Sequence, residues 1–138
     1  MDSVFAYEYT PSTLLSVSDE DSAEFLQSQF SNELRPFNEG QCTYGLWLDV
    51  RGKVLADSWV LCRGAEEFSV ISENSPEEVV RGTLAGHIIA DDVELKALEP
   101  STSTALGGPG AVDLLQRLGL PVPEAASYLE ANGLHIFN

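Results

Sequence analysis

The chain has 138 residues, 43% of them hydrophobic, which suits one domain with its own core. Seven basic against 22 acidic residues give a net charge of -15, which disfavours direct binding to nucleic acid. No apolar run approaches a membrane span, and the first residues show no signal-peptide pattern, so a cytoplasmic protein is expected. Two cysteines and two histidines without CxxC spacing predict no metal site and no disulfide framework.

Two strands and a helix are predicted at the beginning of the chain. Val4 to Tyr9 and Leu14 to Val17 are rich in the aromatic and aliphatic residues typical of strands. Ser18, followed by three acidic residues, predicts a helix with Ser18 as its N-cap, because acidic side chains stabilise the amino end of a helix. That helix should end before Pro36.

A β-hairpin is predicted around Arg51-Gly52, taken as a two-residue turn. Counting outward from this turn places Leu46 opposite Asp57. Cys42 and Cys62 fall on opposite faces in this register, so no disulfide between them is expected. Alternation predicts that the following residues share the face of Asp57: Cys42, Tyr44, Leu46, Leu48, Leu55, Trp59 and Leu61.

The next elements are a third strand, Glu67 to Ser72, and a helix. Ser75-Pro76-Glu77-Glu78 predicts the helix start, with Ser75 as N-cap and proline at the first helical position. Another strand is expected at Val93 to Leu98. We interpret Glu73-Asn74, between the third strand and this helix, as part of a turn and cap. Asp91-Asp92 is interpreted as a pair of turn residues.

The last third is predicted to contain a short apolar segment ending at Gly107, then a helix that stops at Gly119. Glu124 to Glu130 is predicted to be a short helix. Asn132-Gly133 should then form a turn into a strand at Leu134 to Phe137. The mixture of hairpins and helices predicts an α+β fold, and the pattern restarts near Val93 as a weak internal repeat would.

Asp57 is the strongest candidate for a functional residue. It is predicted on an otherwise apolar face, where desolvation raises the pKa of a carboxyl group unless a hydrogen-bond donor pairs with it. A structural alternative stays open, in which Asp57 faces solvent or bonds a neighbouring amide. The histidines, His87 and His135, have no partner at catalytic spacing, and no nucleotide-binding or serine-hydrolase motif occurs.

The expected ligand set extends from Asp57 to its neighbours. Trp47, Trp59 and Tyr44 could stack on a flat heterocycle, although aromatic residues on strands more often belong to a core. Of the residues on the face of Asp57, we include Tyr44, Leu46 and Trp59 among the candidate binding residues. Four of the seven basic residues could receive an anionic ligand tail if they converge in space: Arg35, Arg51, Lys53 and Arg63. Of these we include Arg51 and Arg63 among the candidate binding residues.

The ordered blocks FLQSQFSNEL, LWLDVRGKVLADSWVL, FSVIS, ADDVELKAL and GPGAVDLLQRLG resemble the N-terminal part of a folate-binding family. This family contains the glycine-cleavage T-protein, an aminomethyltransferase, and the YgfZ-type proteins. The resemblance spans roughly residues 14 to 119. It implies an α+β folate-binding domain of two similar subdomains that exchange their first strands, with tetrahydrofolate or a one-carbon derivative as ligand.

The resemblance also implies a role for Asp57. T-proteins carry two adjacent aspartates on the strand after the glycine turn, and Asp57 matches the second, whereas Ala56 replaces the first. An acid on that strand orients the reacting nitrogen of the folate, so Asp57 inherits the catalytic assignment. The KGCYxGQE-like signature of YgfZ-type proteins is absent, and the cysteine of that signature is not carried onto Cys42.

Three functional hypotheses follow. The leading one is a YgfZ-like tetrahydrofolate-binding protein that supports iron-sulfur enzyme maintenance without being a full catalyst. The second is an aminomethyltransferase of the T-protein type, and the third is an assembly module that has lost folate binding. Family members are much longer, so residues 1–90 are expected to form a first subdomain and 91–138 the start of a second. A partial protein or a strand-swapped homodimer is then expected, and a protein partner is possible.

Overall fold

The computed structural model describes residues 2–138, which fold into antiparallel sheets with helices between the strands. The strands, in chain order, are β1 Phe5–Tyr9, β2 Thr13–Ser18, β3 Cys42–Leu48, β4 Val54–Gly64, β5 Glu67–Ser72, β6 Glu94–Ala97, β7 Ser103–Gly107, β8 Tyr128–Ala131 and β9 Leu134–Phe137. The helices are α1 Ser22–Gln29, α2 Glu77–Ala85 and α3 Ala111–Arg117. The α+β prediction is therefore confirmed. None of the helices within residues 2–138 has the length and apolar run that a bilayer crossing requires.

The central sheet has the order β3-β4-β5-β2-β6, and β6 lies beside β2 rather than next to its own neighbour in sequence, β7. The strand β1 leaves this sheet and pairs antiparallel with β7 in a separate two-stranded sheet. The hairpin β8-β9 forms a third, small sheet. The two halves of the chain thus exchange strands, since β1 joins the later part and β6 joins the earlier one.

The main core lies between α1, α2 and one face of the central sheet. Alternate residues of β4 face this core, and the helices contribute one apolar stripe each, as amphipathic elements do. Trp47 is fully buried there, and its indole N–H donates to the Ser58 hydroxyl at 2.9 Å. The core contains the following buried residues: Leu15, Val17, Phe25, Leu26, Phe30, Leu34, Trp47, Ala56, Val60, Cys62, Phe68, Val70, Val80 and Leu84.

The opposite face of the sheet is covered only in part. The β8-β9 hairpin packs over one end, where Tyr128 joins Cys42 and Leu61 in a small second cluster. The other end, around Asp57, remains accessible. Cys42 and Cys62 are both buried and free, each on its own face, as the register predicted.

The predicted pairing of Leu46 with Asp57 in the β3-β4 hairpin is confirmed. The two-residue turn is wrong. A bulge after Trp47 shifts the register, and the Asp49 carboxylate accepts the backbone N–H groups of Arg51 and Lys53 at 2.8 and 2.9 Å. An aspartate that bonds its own downstream amides favours a longer turn.

Both predicted helix caps are displaced. Ser18 is the last residue of β2, since pairing with β5 and β6 extends the strand to that point, and α1 begins at Ser22. Pro76, not Ser75, is the N-cap residue of α2, which has no side-chain cap. Ser18 does not cap α1 because strand pairing holds it in β2. Ser75 does not cap α2 because its hydroxyl is hydrogen-bonded to a residue outside that helix.

The predicted helix at Glu124 to Glu130 is wrong. Residues Tyr128–Ala131 form β8, which pairs with β9 through the Asn132-Gly133 turn. Both turn residues have positive φ, 52° and 77°, the conformation that a tight two-residue hairpin requires. The turn was predicted correctly, and it demands a preceding strand rather than a helix.

Candidate functional site

Asp57 lies in the middle of β4 on the face of the sheet away from α1 and α2, and its side chain is half-buried. Three hydroxyl groups converge on its carboxylate. The Tyr44 phenol donates to Oδ2, while Ser75 and Ser72 donate to Oδ1 at 2.7 and 3.4 Å. The donors come from β3, from the end of β5 and from the loop before α2, so the fold brings three segments to one carboxylate.

These donors stabilise the ionised form of Asp57. Hydrogen bonds from Tyr44 and then Ser75 lower the pKa of Asp57, whereas partial burial acts in the opposite direction. The hydrogen bond to Asp57, together with desolvation, raises the pKa of the Tyr44 phenol. The proton therefore stays on the phenol, and Asp57 is a carboxylate that only accepts hydrogen bonds at neutral pH.

The apolar neighbours of Asp57 form a partly open surface. Leu46 lies directly across from Asp57 on β3, and Tyr44 pairs with Trp59. The Tyr44 side chain is 45% exposed, and its ring meets that of Trp59 edge to face at a centroid distance of 5.6 Å. Trp59 in turn contacts the Phe137 ring of β9 at 5.4 Å. A row of aromatic rings thus runs from the carboxylate toward the β8-β9 hairpin.

Arg51 and Arg63, the two basic candidates for ligand binding, lie on opposite sides of Asp57 along the chain. Arg51 lies in the turn before β4 and Arg63 near the other end of that strand, six residues from Asp57 on either side along the chain. Arg63 donates to Glu130 at 2.8 Å and lies 3.4 Å from the His135 Nδ1. Arg63 is thus engaged with Glu130 and His135 at one end of β4, and the anionic-tail site stays a prediction.

Two shallow cavities lie away from Asp57. One, of about 330 Å³, lies between the end of α1, the β3-β4 turn and His87. The other, of about 490 Å³, lies beside the β8-β9 hairpin and Gly40. Asp57 lines neither of these two cavities.

Ser72 and Ser75 are the residues that the sequence interpretation missed. Ser75 stood in a helix-start motif and was assigned to the cap, while Ser72 was seen only as the end of a strand. Ser72 is almost completely buried, and its hydroxyl also accepts the Ser75 backbone N–H at 3.0 Å. A useful signal existed in the three serines of β5 and its loop, because a hydroxyl group that becomes buried needs a hydrogen-bond partner.

Comparison with known proteins identifies the family. The sequence model of the GCVT N-terminal domain family matches residues 2–136. This chain belongs to that family. The sequence resemblance to folate-binding domains of this type is thereby confirmed. Among curated protein sequences, none matches the chain significantly.

A solved structure supports the same fold. The crystal structure of glycine cleavage system aminomethyltransferase T from Bartonella henselae superposes with a TM-score of 0.76 at 23% sequence identity. The match covers 91% of this chain and 36% of the Bartonella chain. The chain thus spans about a third of the length of that protein, and at this identity the similarity establishes the fold.

Proposed function

We propose that this member of the GCVT family binds a reduced folate, tetrahydrofolate or a one-carbon derivative, on the surface that carries Asp57. The observation that carries the proposal is the Asp57 carboxylate itself, to which three hydroxyl groups donate hydrogen bonds on a half-exposed face. A partly exposed carboxylate that several donors hold in one orientation can accept a further hydrogen bond from a ligand, and perturbed pKa values cluster at functional sites.

The chemistry of the surface fits a reduced pterin. A carboxylate accepts N–H donors, which the pterin ring presents along one edge, and Oδ2 receives only the Tyr44 hydroxyl among the described residues. Leu46 and the exposed part of the Tyr44 ring supply apolar area beside it. Bound folate would carry the one-carbon group, while Asp57 would orient the ring by hydrogen bonding.

We assign the chain to a YgfZ-like role, tetrahydrofolate binding in support of iron-sulfur enzyme maintenance without complete catalysis. Ala56 supports this assignment, because it stands where T-proteins carry the first of two adjacent aspartates. With Ala56 buried on the helix side, Asp57 is the only acid of this part of β4 within the described residues. One acid suffices to orient a ring by hydrogen bonding.

The structural match to aminomethyltransferase T favours a second candidate, transfer of an aminomethyl group to the folate nitrogen. In that reaction Asp57 would position the attacking nitrogen. A single-turnover assay with tetrahydrofolate and an aminomethylated carrier protein separates the two candidates. Formation of methylene-tetrahydrofolate favours the transferase, and binding without turnover favours the YgfZ-like role.

The test of folate binding is isothermal titration with tetrahydrofolate. The wild-type chain should bind, and Asp57→Asn should weaken binding about tenfold or more, because a hydrogen bond to a charged acceptor is lost. Asp113→Asn is the matched control, because this substitution removes the same charge at another place. Asp113 pairs with Arg117 on the surface of α3.

Two results would contradict the proposal. If wild type shows no binding, the chain is an assembly module that has lost its ligand. If Asp57→Asn and Asp113→Asn bind as tightly as wild type, folate binds at another surface.

The subunit arrangement is a separate proposal. We propose that residues 1–90 form a first subdomain and 91–138 the start of a second, joined by the exchanged strands β1 and β6. Two copies could exchange these strands and form a homodimer. A monodisperse monomer in light scattering would rule out the dimer.

A further inference from the structure

Ser75 is joined to Asp57 by two hydrogen bonds that act on opposite ends of the aspartate. The Ser75 hydroxyl accepts the Asp57 backbone N–H at 3.0 Å and donates to Asp57 Oδ1 at 2.7 Å. One hydroxyl therefore closes a ring with the main chain and the side chain of the same residue. Rotation of the Asp57 carboxylate away from this position would break the second bond while the first stays in place.

Ser75 is itself held from two sides. Its backbone N–H donates to the Ser72 hydroxyl at 3.0 Å, and its carbonyl accepts the Thr13 hydroxyl at 2.7 Å. Thr13 and Ser72 are both almost fully buried. The loop that carries Ser75 is thus fixed by two side chains that solvent does not reach, and the fixed loop holds Asp57.

The hydroxyl of Ser75 would otherwise be expected to cap α2. Serine before a helix commonly accepts a backbone N–H of the first turn. In this chain Pro76 is the N-cap residue, α2 has no side-chain cap, and the serine hydroxyl is directed to Asp57. The Ser75 hydroxyl thus contacts the candidate ligand-binding residue and does not cap the helix. Such departures from local structural preference are expected at functional sites.

The hydroxyl donors are distributed unequally over the two oxygens of the Asp57 carboxylate. Each carboxylate oxygen offers about two lone pairs, so the carboxylate has about four acceptor positions. Ser75 and Ser72 both donate to Oδ1, whereas Oδ2 receives the Tyr44 hydroxyl. One acceptor position of Oδ2 remains.

We infer that Ser75, supported by Ser72, is a positioning residue that saturates Oδ1 of Asp57 and presents Oδ2 to an N–H donor of the ligand. This inference rests on the proposed folate-binding function. It adds the orientation of the acid and the oxygen that meets the ligand, neither of which follows from Asp57 alone. Thr13 contributes indirectly, through the Ser75 carbonyl.

The experiment compares Ser75→Ala and Ser75→Thr with wild type, in two measurements on the full chain. The first is the pKa of the Asp57 carboxyl group by carbon-detected NMR titration without ligand. The second is the dissociation constant for tetrahydrofolate as a function of pH. Ser127→Ala is the matched control, because its hydroxyl donates at the same 2.7 Å to the Glu124 carbonyl, far from Asp57 in the chain.

Ser75→Ala should raise the Asp57 pKa, weaken tetrahydrofolate binding about tenfold at neutral pH and move the acid limit of binding to higher pH. Ser75→Thr keeps the hydroxyl and should restore both values. Ser127→Ala should change neither. If Ser75→Ala does not fold, Ser72→Ala should produce a smaller shift in the same direction, because its bond to Oδ1 is longer.

The inference and the proposed function fail in different ways. An unchanged Asp57 pKa in Ser75→Ala overturns the inference, whether or not folate binds. Wild type that does not bind tetrahydrofolate overturns the proposed function, and with it the ligand part of the inference. Binding by Ser75→Ala with wild-type affinity and pH profile also overturns the inference.

Discussion

The two faces of the central sheet carry the same kinds of residues and use them differently. On the face covered by α1 and α2, Trp47 is fully buried and its one polar atom bonds the Ser58 hydroxyl. On the other face, Trp59 and Tyr44 remain partly exposed, and hydroxyl groups gather on a single carboxylate. Aromatic and hydroxyl side chains stabilise the core on one face. On the other face they surround the Asp57 carboxylate and donate hydrogen bonds to it.

The difference shows why apolar alternation alone does not identify a core. Residues on both faces of β4 read as apolar in sequence, and only one face is closed by helices. The face left open is the one that carries an ionised group, because a carboxylate beside solvent and three donors avoids the cost of complete desolvation. Substitutions that are matched between the faces should therefore differ in effect.

The largest difference is expected between the two tryptophans. Trp47→Ala should lower the free energy of unfolding by about 3–5 kcal/mol, because it leaves a cavity and an unpaired Ser58 hydroxyl. Trp59→Ala should cost clearly less, since its ring is partly exposed. Urea unfolding measures both. Equal losses would mean that the open face is packed as tightly as the core.

Two glycines give the next effect. A Cβ at Gly45 would lie 2.6 Å from Cζ of the buried Phe30 ring, so Gly45→Ala should destabilise the fold by about 1–3 kcal/mol. Nothing lies near a Cβ at Gly82, in α2, where alanine should stabilise by about 0.5–1 kcal/mol. Thermal unfolding of both variants tests this. A neutral Gly45→Ala would show that Phe30 has room to move.

Acid should affect the open face through Asp57. Because the folded-state pKa lies below the unfolded value, ionised Asp57 stabilises the fold above about pH 4, and this contribution is lost as the pH falls through the lower folded-state pKa. The difference in unfolding free energy between wild type and Asp57→Asn should therefore shrink as the solution is acidified. A difference that does not change with pH would contradict the assigned charge.

The smallest effect on stability is expected for the Tyr44 phenol. Tyr44→Phe removes a donor, so the Asp57 pKa should rise, while the free energy of unfolding should change by less than about 1 kcal/mol because the contact is exposed. Tyr7→Phe is the control, since the Tyr7 hydroxyl donates to Glu73 at 2.7 Å. NMR titration should show a shift of Asp57 only for Tyr44→Phe.

Sequence patterns predicted one side of this site and missed the other. The pairing of Leu46 with Asp57 followed from counting residues outward from the turn, and it holds because the bulge after Trp47 offsets the longer turn. The hydrogen bonds from Ser72 and Ser75 could not be predicted in this way, because they depend on how β5 lies against β4 and on a helix cap that does not form. Local signals failed in the same way at Ser18 and at Glu124 to Glu130, where strand pairing decided the structure.

The most direct test of the account is an NMR titration of the wild-type chain with tetrahydrofolate, read residue by residue. The account predicts that chemical-shift changes concentrate on Tyr44, Leu46 and Asp57 on the open face, with the helix-covered residues Val60 and Val80 unaffected. Changes centred on the cavity near His87, or no changes at all, would contradict it.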